Sequence, residues 1–183
     1  MDLDKHLFEL AADVDDPQAV VLAALRMLAH TRQCLERASY TPLPEAVEIA
    51  QLVQDWLADK DDEKMLLETT RVSDRAVRSA VRATEAVWSH YLAADRLVRM
   101  LTSQDTSTSQ QAEQLSRLAA HACNACSAAI CGDDKPTDPY LVAWQAERAW
   151  QIECLVATLS YSTGTDGARL RNSLLSGTPR LSD

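Results

Sequence analysis

Apolar residues recur along this chain at spacings of three and four, the period of helices with one face turned inward. Leu3 to Ala12 reads as a short helix. Asp15-Asp16-Pro17 supplies acidic caps and a first-turn proline, and predicts a second helix to about Ala38 with Val21, Leu25, Leu28 and Leu35 on one stripe. Thr41-Pro42-Leu43-Pro44 breaks the chain and opens a third helix, whose inner face is Val47, Ala50, Val53 (or Gln54) and Leu57 with Trp56 at its edge. Asp59-Lys60-Asp61-Asp62 is a polar turn, and Glu63 to Thr70 gives one or two helical turns.

Ser73-Asp74 caps what reads as the longest helix, running to about Thr102 on the seam Val77, Val81, Thr84, Trp88, Tyr91 and Val98. The polar run Thr102–Gln110 is a loop, and an alanine-rich helix follows from Gln111 to about Cys131. Cys131-Gly132-Asp133-Asp134-Lys135-Pro136 is a stop and a turn. Asp138-Pro139 starts a helix to about Leu159, and a weak one covers Ala168 to Ser176. The expected architecture is all-α: one domain over residues 1–176, a bundle of five to six mostly antiparallel helices, with 177–183 a flexible tail.

Composition sharpens this reading. Alanine (28) and leucine (24) dominate, and the first of only four glycines is Gly132. That argues against sandwiches, barrels and parallel α/β folds, which need turn glycines and β-branched runs. At 46% apolar residues the chain is not a disordered one. A domain of 183 residues buries roughly 70% of its unfolded surface and needs no disulfide or metal to fold. No apolar run reaches the roughly 20 residues of a membrane span. The five cysteines are Cys34, Cys123, Cys126, Cys131 and Cys154; an odd number without a secretory signal fits free thiols in a cytoplasmic protein.

The net charge of −9 lies entirely in residues 1–68, which hold 15 acids and 6 bases. An acidic surface repels nucleic acid and attracts basic protein partners, mainly by raising the rate of association, and the lack of an apolar span gives no expectation of a membrane partner. Its candidate contacts are Asp13, Asp15, Asp16, Glu45, Glu48, Asp55, Asp59, Asp61 and Asp62. On the expected long helix Arg71, Arg75, Arg78, Arg82 and Arg96 fall within about 60° of arc, a basic stripe that serves as a solvated face or pairs with the acidic helices.

Several chemistries are absent. The chain has no glycine-rich phosphate loop, no G-x-S-x-G, no H-E-x-x-H and no E-x-x-H. The sharpest local pattern is His121-Ala-Cys123-Asn-Ala-Cys126. Cys123 and Cys126 are about 60° apart on a helix, but His121 lies about 160° from Cys123, so one helix cannot bring them all to one metal. A thiol or metal site there needs Cys154 or another histidine brought in by the fold. Otherwise these thiols pack like small hydrophobes, with no cofactor and no metal. His6, His30 and His90 are isolated, and Trp144 and Trp150 cannot share one face of their helix.

The segments Ala46-Val47-Glu48-Ile49-Ala50 and Ala58-Asp59, the alanine-punctuated helices Ala76–Ala94 and Ala112–Ala129, and Ala146-Glu147-Arg148-Ala149-Trp150-Gln151 with Leu155 resemble the all-helical immunity proteins of bacterial toxin systems over about residues 20–160. The resemblance implies a non-enzymatic bacterial protein that blocks a partner, with no catalytic residues to carry over. The first functional expectation is therefore a protein-binding module with an acidic N-terminal surface. The alternatives are a thiol- or metal-dependent protein built on Cys123 and Cys126, and a scaffolding subunit that forms a homodimer through a helix face.

Overall fold

In a computed structural model of the protein, the described residues are 3–14, 16–59, 62–79, 83–102, 107–132 and 138–162. They form α1 (Leu3–Ala12), α2 (Pro17–Arg37), α3 (Pro44–Asp59), α4 (Asp62–Ser79), α5 (Glu85–Thr102), α6 (Thr108–Cys131) and α7 (Asp138–Ser162), with no strand among the described residues. The class is all-α as expected, but the described helices number seven rather than five or six. The weak helix expected over 168–176 and the tail at 177–183 lie outside the described residues.

The miscount arises in the middle of the chain. The single helix expected from Ser73 to Thr102 is two helices, and the turns expected over Glu63–Thr70 are the first half of α4. Thr84 stands just before α5, its carbonyl accepting from the Trp88 N–H at 2.9 Å, and Glu85 places an acid in the first turn. Threonine followed by an acid is a helix start. Counting Thr84 as part of an apolar seam hides it. The polar run before α6 is likewise partly helical: Ser107 caps α6, its hydroxyl accepting from the Gln110 N–H at 3.3 Å.

Other boundaries match their sequence signals. The Asp16 carboxylate accepts from the Gln18 N–H at 2.9 Å and Pro17 opens α2. Gly132, at φ 78°, ends α6 in the left-handed region that favours glycine, and its N–H donates to the Ala128 carbonyl at 2.8 Å.

α6 is the central helix, packed by α5, α2, α7 and α1. Leu115 and Leu118 fill the space where α6 meets its neighbours, while Ala119, Ala122, Ala125 and Ala128 are fully buried with only a methyl group each. Small side chains let helix axes approach toward the short end of the usual 8–10 Å spacing. That closeness brings polar atoms on three helices within bonding reach of one another. α3 and α4 pair beside α5, joined by Arg75 to Glu48 at 2.5 Å and by the Ser79 hydroxyl, which donates to Glu45 at 2.8 Å.

The break before α5 also divides the basic stripe. Arg71, Arg75 and Arg78 are exposed on α4, Arg96 is on α5, and Arg82 lies outside the described residues, so the expected continuous row on one helix does not exist. Arg71 is paired with Glu68 at 2.8 Å. Trp150 packs against the main core and Trp144 against a smaller cluster of Leu35, Ala86, Ala128, Ala129 and Tyr140, as two opposed helix faces require. No helix among the described residues is long and apolar enough to cross a membrane.

Candidate metal centre

His30 and Cys34 are one turn apart on α2, so both project from the same face toward α6 and α7. α6 brings Cys126 to this face and α7 brings Glu147. One potential ligand atom from each of the four residues lies within 4.8 Å of all the others. His30 Nε2 is 3.0 Å from Glu147 Oε2 and 3.5 Å from Cys34 Sγ. Cys126 and Glu147 are buried, while the His30 side chain is 23% exposed and Cys34 is half-buried, so the group opens to solvent on its α2 side. The Trp150 indole stacks on the His30 ring at 3.9 Å between centroids and fixes its plane.

The electrostatics of the four residues are mutual. Burial alone would hold His30 in its neutral form, but hydrogen bonds to Cys34 and Glu147 and their negative charge outweigh it and raise its pKa to about 9. The Cys34 thiol is lowered to about 5, first by its hydrogen bond with Cys126 and then by His30, against the opposing effect of burial. Cys126 is pushed up because it shares that hydrogen bond as the partner that keeps its proton, and burial adds to the effect. These contacts therefore favour the charged form of the His30 ring and the thiolate form of Cys34.

A second layer of contacts holds Glu147. The Gln151 amide, one turn along α7, donates to Glu147 Oε1 at 3.4 Å and to the Ala119 carbonyl of α6 at 3.0 Å. Its oxygen accepts from Arg148 at 2.9 Å and from the Cys123 thiol at 3.5 Å. Arg148 is only 2% exposed; it is ion-paired with Asp4 of α1 and lies 4.9 Å over the Trp144 ring. Asp4, Arg148, Gln151 and Glu147 thus form a continuous polar chain from the first helix to the cluster.

Of the two cysteines singled out from sequence, only Cys126 belongs to the group of four. Cys123 faces Gln151, and burial raises its thiol to about 12. Cys154 is buried and not one of the four, its pKa also raised by burial. His121 is half-buried, with its pKa lowered first by burial and then by Arg96. The sequence reading missed His30, Cys34 and Glu147. For His30 and Cys34 the signal was the H-x-x-x-C spacing on one helix face, hidden by treating His30 as isolated; Glu147, on another helix, carried no such signal.

The acidic candidates are scattered in role. Asp16 caps α2, Glu48 and Glu45 tie α3 to α4, and Asp55 accepts from Gln51 at 2.8 Å. Asp13 is exposed after α1, Asp59 ends α3 and Asp62 begins α4. Asp15 and Asp61 lie outside the described residues.

None of the protein-family models, curated proteins or solved structures compared with the chain matches it. The case for a function therefore rests on the arrangement of its own residues.

Proposed function

We propose that the protein binds a thiophilic divalent cation, zinc above all, through His30, Cys34, Cys126 and Glu147. The observation that carries this reading is the convergence of four different donor side chains, from three helices, within 4.8 Å. Bond lengths of about 2.0–2.3 Å to nitrogen, oxygen and sulfur imply edges of about 3.3–3.8 Å in a tetrahedral zinc site. The separations of 3.0 and 3.5 Å at His30 are already close to such edges, and the widest needs a closure of about 1 Å. Two sulfurs and an imidazole select zinc over magnesium or calcium, which prefer oxygen. Gln151 on Glu147 and Trp150 on His30 are the supporting contacts that such ligands require.

Four protein donors fill a tetrahedral ion, which makes the site a clamp joining α2, α6 and α7 rather than an open catalytic centre. The test is metal content of the tag-free protein by inductively coupled plasma mass spectrometry. One zinc per chain is expected, lost in His30→Ala and Cys126→Ser and bound more weakly in Glu147→Gln. Protein that is isolated without metal and takes up none in titration against a competing chelator overturns the reading.

A second reading, the acidic protein-binding module with its resemblance to immunity proteins, is favoured by the excess of 15 acids over 6 bases in residues 1–68, with Asp13, Glu48 and Asp55 on exposed positions. Its test is capture of a basic protein from lysate in salt steps. Release at moderate salt that is lost on charge reversal at Asp59, Asp61 and Asp62 supports it, and unchanged binding overturns it.

A further inference from the structure

We propose that Cys34 and Cys126 are a peroxide-sensitive pair that closes to a disulfide between α2 and α6 and thereby releases the bound cation. The proposal rests on the metal reading for the release step only; the pair itself stands on geometry.

The two sulfurs belong to the group whose ligand atoms lie within 4.8 Å, and they come from different helices, so no intervening turn holds them apart. They are also unequal. Cys34 is half-buried at the solvent side of the group and Cys126 is fully inside it. A small oxidant therefore meets Cys34 first, and Cys126 stands behind it as the resolving thiol. The remaining cysteines are poorly placed to compete. Cys123 is buried with its thiol on Gln151, Cys154 is buried on α7, and Cys131, the last residue of α6, is not among the four residues of the group.

The chemistry balances with a hydroperoxide as the two-electron oxidant. Cys34 sulfur attacks one peroxide oxygen, the O–O bond breaks, and hydroxide or alkoxide leaves; the product is a sulfenic acid. Cys126 sulfur then attacks the Cys34 sulfur, the S–O bond breaks, the S–S bond forms, and the leaving hydroxide takes up the Cys126 thiol proton and departs as water. The peroxide is reduced and the two cysteine sulfurs are oxidised. A disulfide sulfur is a poor metal ligand, so the cation retains only His30 and Glu147 and leaves. A thiol reductant reverses the step.

The experiment treats the full-length protein, both as isolated and after chelator treatment, with stoichiometric hydrogen peroxide. It reads denatured thiol count, intact mass, disulfide-linked peptides and zinc captured by a chromogenic chelator. The expected result is the loss of two of the five thiols, a mass lower by two hydrogens, a Cys34–Cys126 cross-link, and release of one zinc per chain, all reversed by dithiothreitol. In Cys126→Ser the cross-link is absent and Cys34 is trapped by a sulfenic-acid probe; in Cys34→Ser neither product forms. Persistence of all five thiols at peroxide levels that oxidise a reference dithiol, or a cross-link between any other pair, overturns the proposal. The two readings separate cleanly. A cross-link in protein that never holds zinc removes the metal reading and keeps the pair, whereas zinc-loaded protein whose Cys34 and Cys126 resist oxidation in the chelator-treated form does the reverse.

Discussion

Glu147 and Arg148 are neighbours in sequence and both are buried, so each needs its own compensation. Glu147 has it in His30 and Gln151; Arg148 has it in Asp4 and Gln151. Gln151 is the shared residue, and Gln151→Leu is expected to weaken zinc binding about 10- to 100-fold while leaving the helical content intact, measured by chelator competition and circular dichroism. The buried arginine predicts an asymmetry. Asp4→Ala leaves a buried guanidinium without its carboxylate and is expected to cost about 1–3 kcal/mol in urea unfolding. Arg148→Met removes the charge together with its desolvation penalty, and is expected to cost less than Asp4→Ala. The reverse order would show that the Arg148 contacts to Gln151 and Trp144 outweigh its burial. None of this was legible in the sequence. Helical spacing places His30 above Cys34, but only the fold decides that Cys126 and Glu147 meet them rather than Cys123 or His121.

Helix boundaries were legible wherever a single residue type has one physical reason to be there. Asp16-Pro17 announced α2 and Gly132 ended α6, because a cap oxygen and a left-handed residue have few other uses at those positions. The α4–α5 break was not legible, because the spacing from Val81 through Thr84 to Trp88 continues the apolar period across it. Thr84 can be read as seam or as start, and periodicity favoured the wrong choice. The same ambiguity attends the acidic residues, where a carboxylate serves a cap, an ion pair or a partner with one side chain. Asp16→Ala is expected to lower stability by about 1 kcal/mol, because its carboxylate accepts from Gln18 N–H. A stability unchanged in the variant would return Asp16 to the partner-binding set. Asp55→Ala, whose hydrogen bond to Gln51 is on the surface, serves as the control and is expected to change stability by no more than about 0.5 kcal/mol.

At the scale of the molecule, α6 gathers four helices around a face of small residues, and the cluster of four donors ties three of those helices together. A cation that binds only the folded chain adds stability in proportion to its excess over Kd, about 4 kcal/mol at a thousandfold excess, so chelation is expected to lower Tm by several degrees. Acid acts on the same bundle at a separate place. His90 of α5 is buried beside Leu28, Arg32 and Glu36 of α2. Its pKa is lowered to about 4, chiefly by burial and with a smaller contribution from Arg32, while the hydrogen bond to the Leu28 backbone and the charge of Glu36 oppose the shift. The folded state thus holds His90 neutral between pH 6.5 and about 4, whereas the unfolded chain binds a proton there. The unfolded state gains protons as pH falls through this window, so the stability that His90 contributes is complete above pH 6.5 and lost toward pH 4. The loss is on the order of 3 kcal/mol. His90→Leu keeps the site apolar and removes the titration. Urea midpoints measured from pH 7 to pH 4 on metal-free protein should fall less steeply for the variant than for the parent chain. Parallel curves would mean that protonation of His90 is not what destabilises the α2–α5 contact in acid.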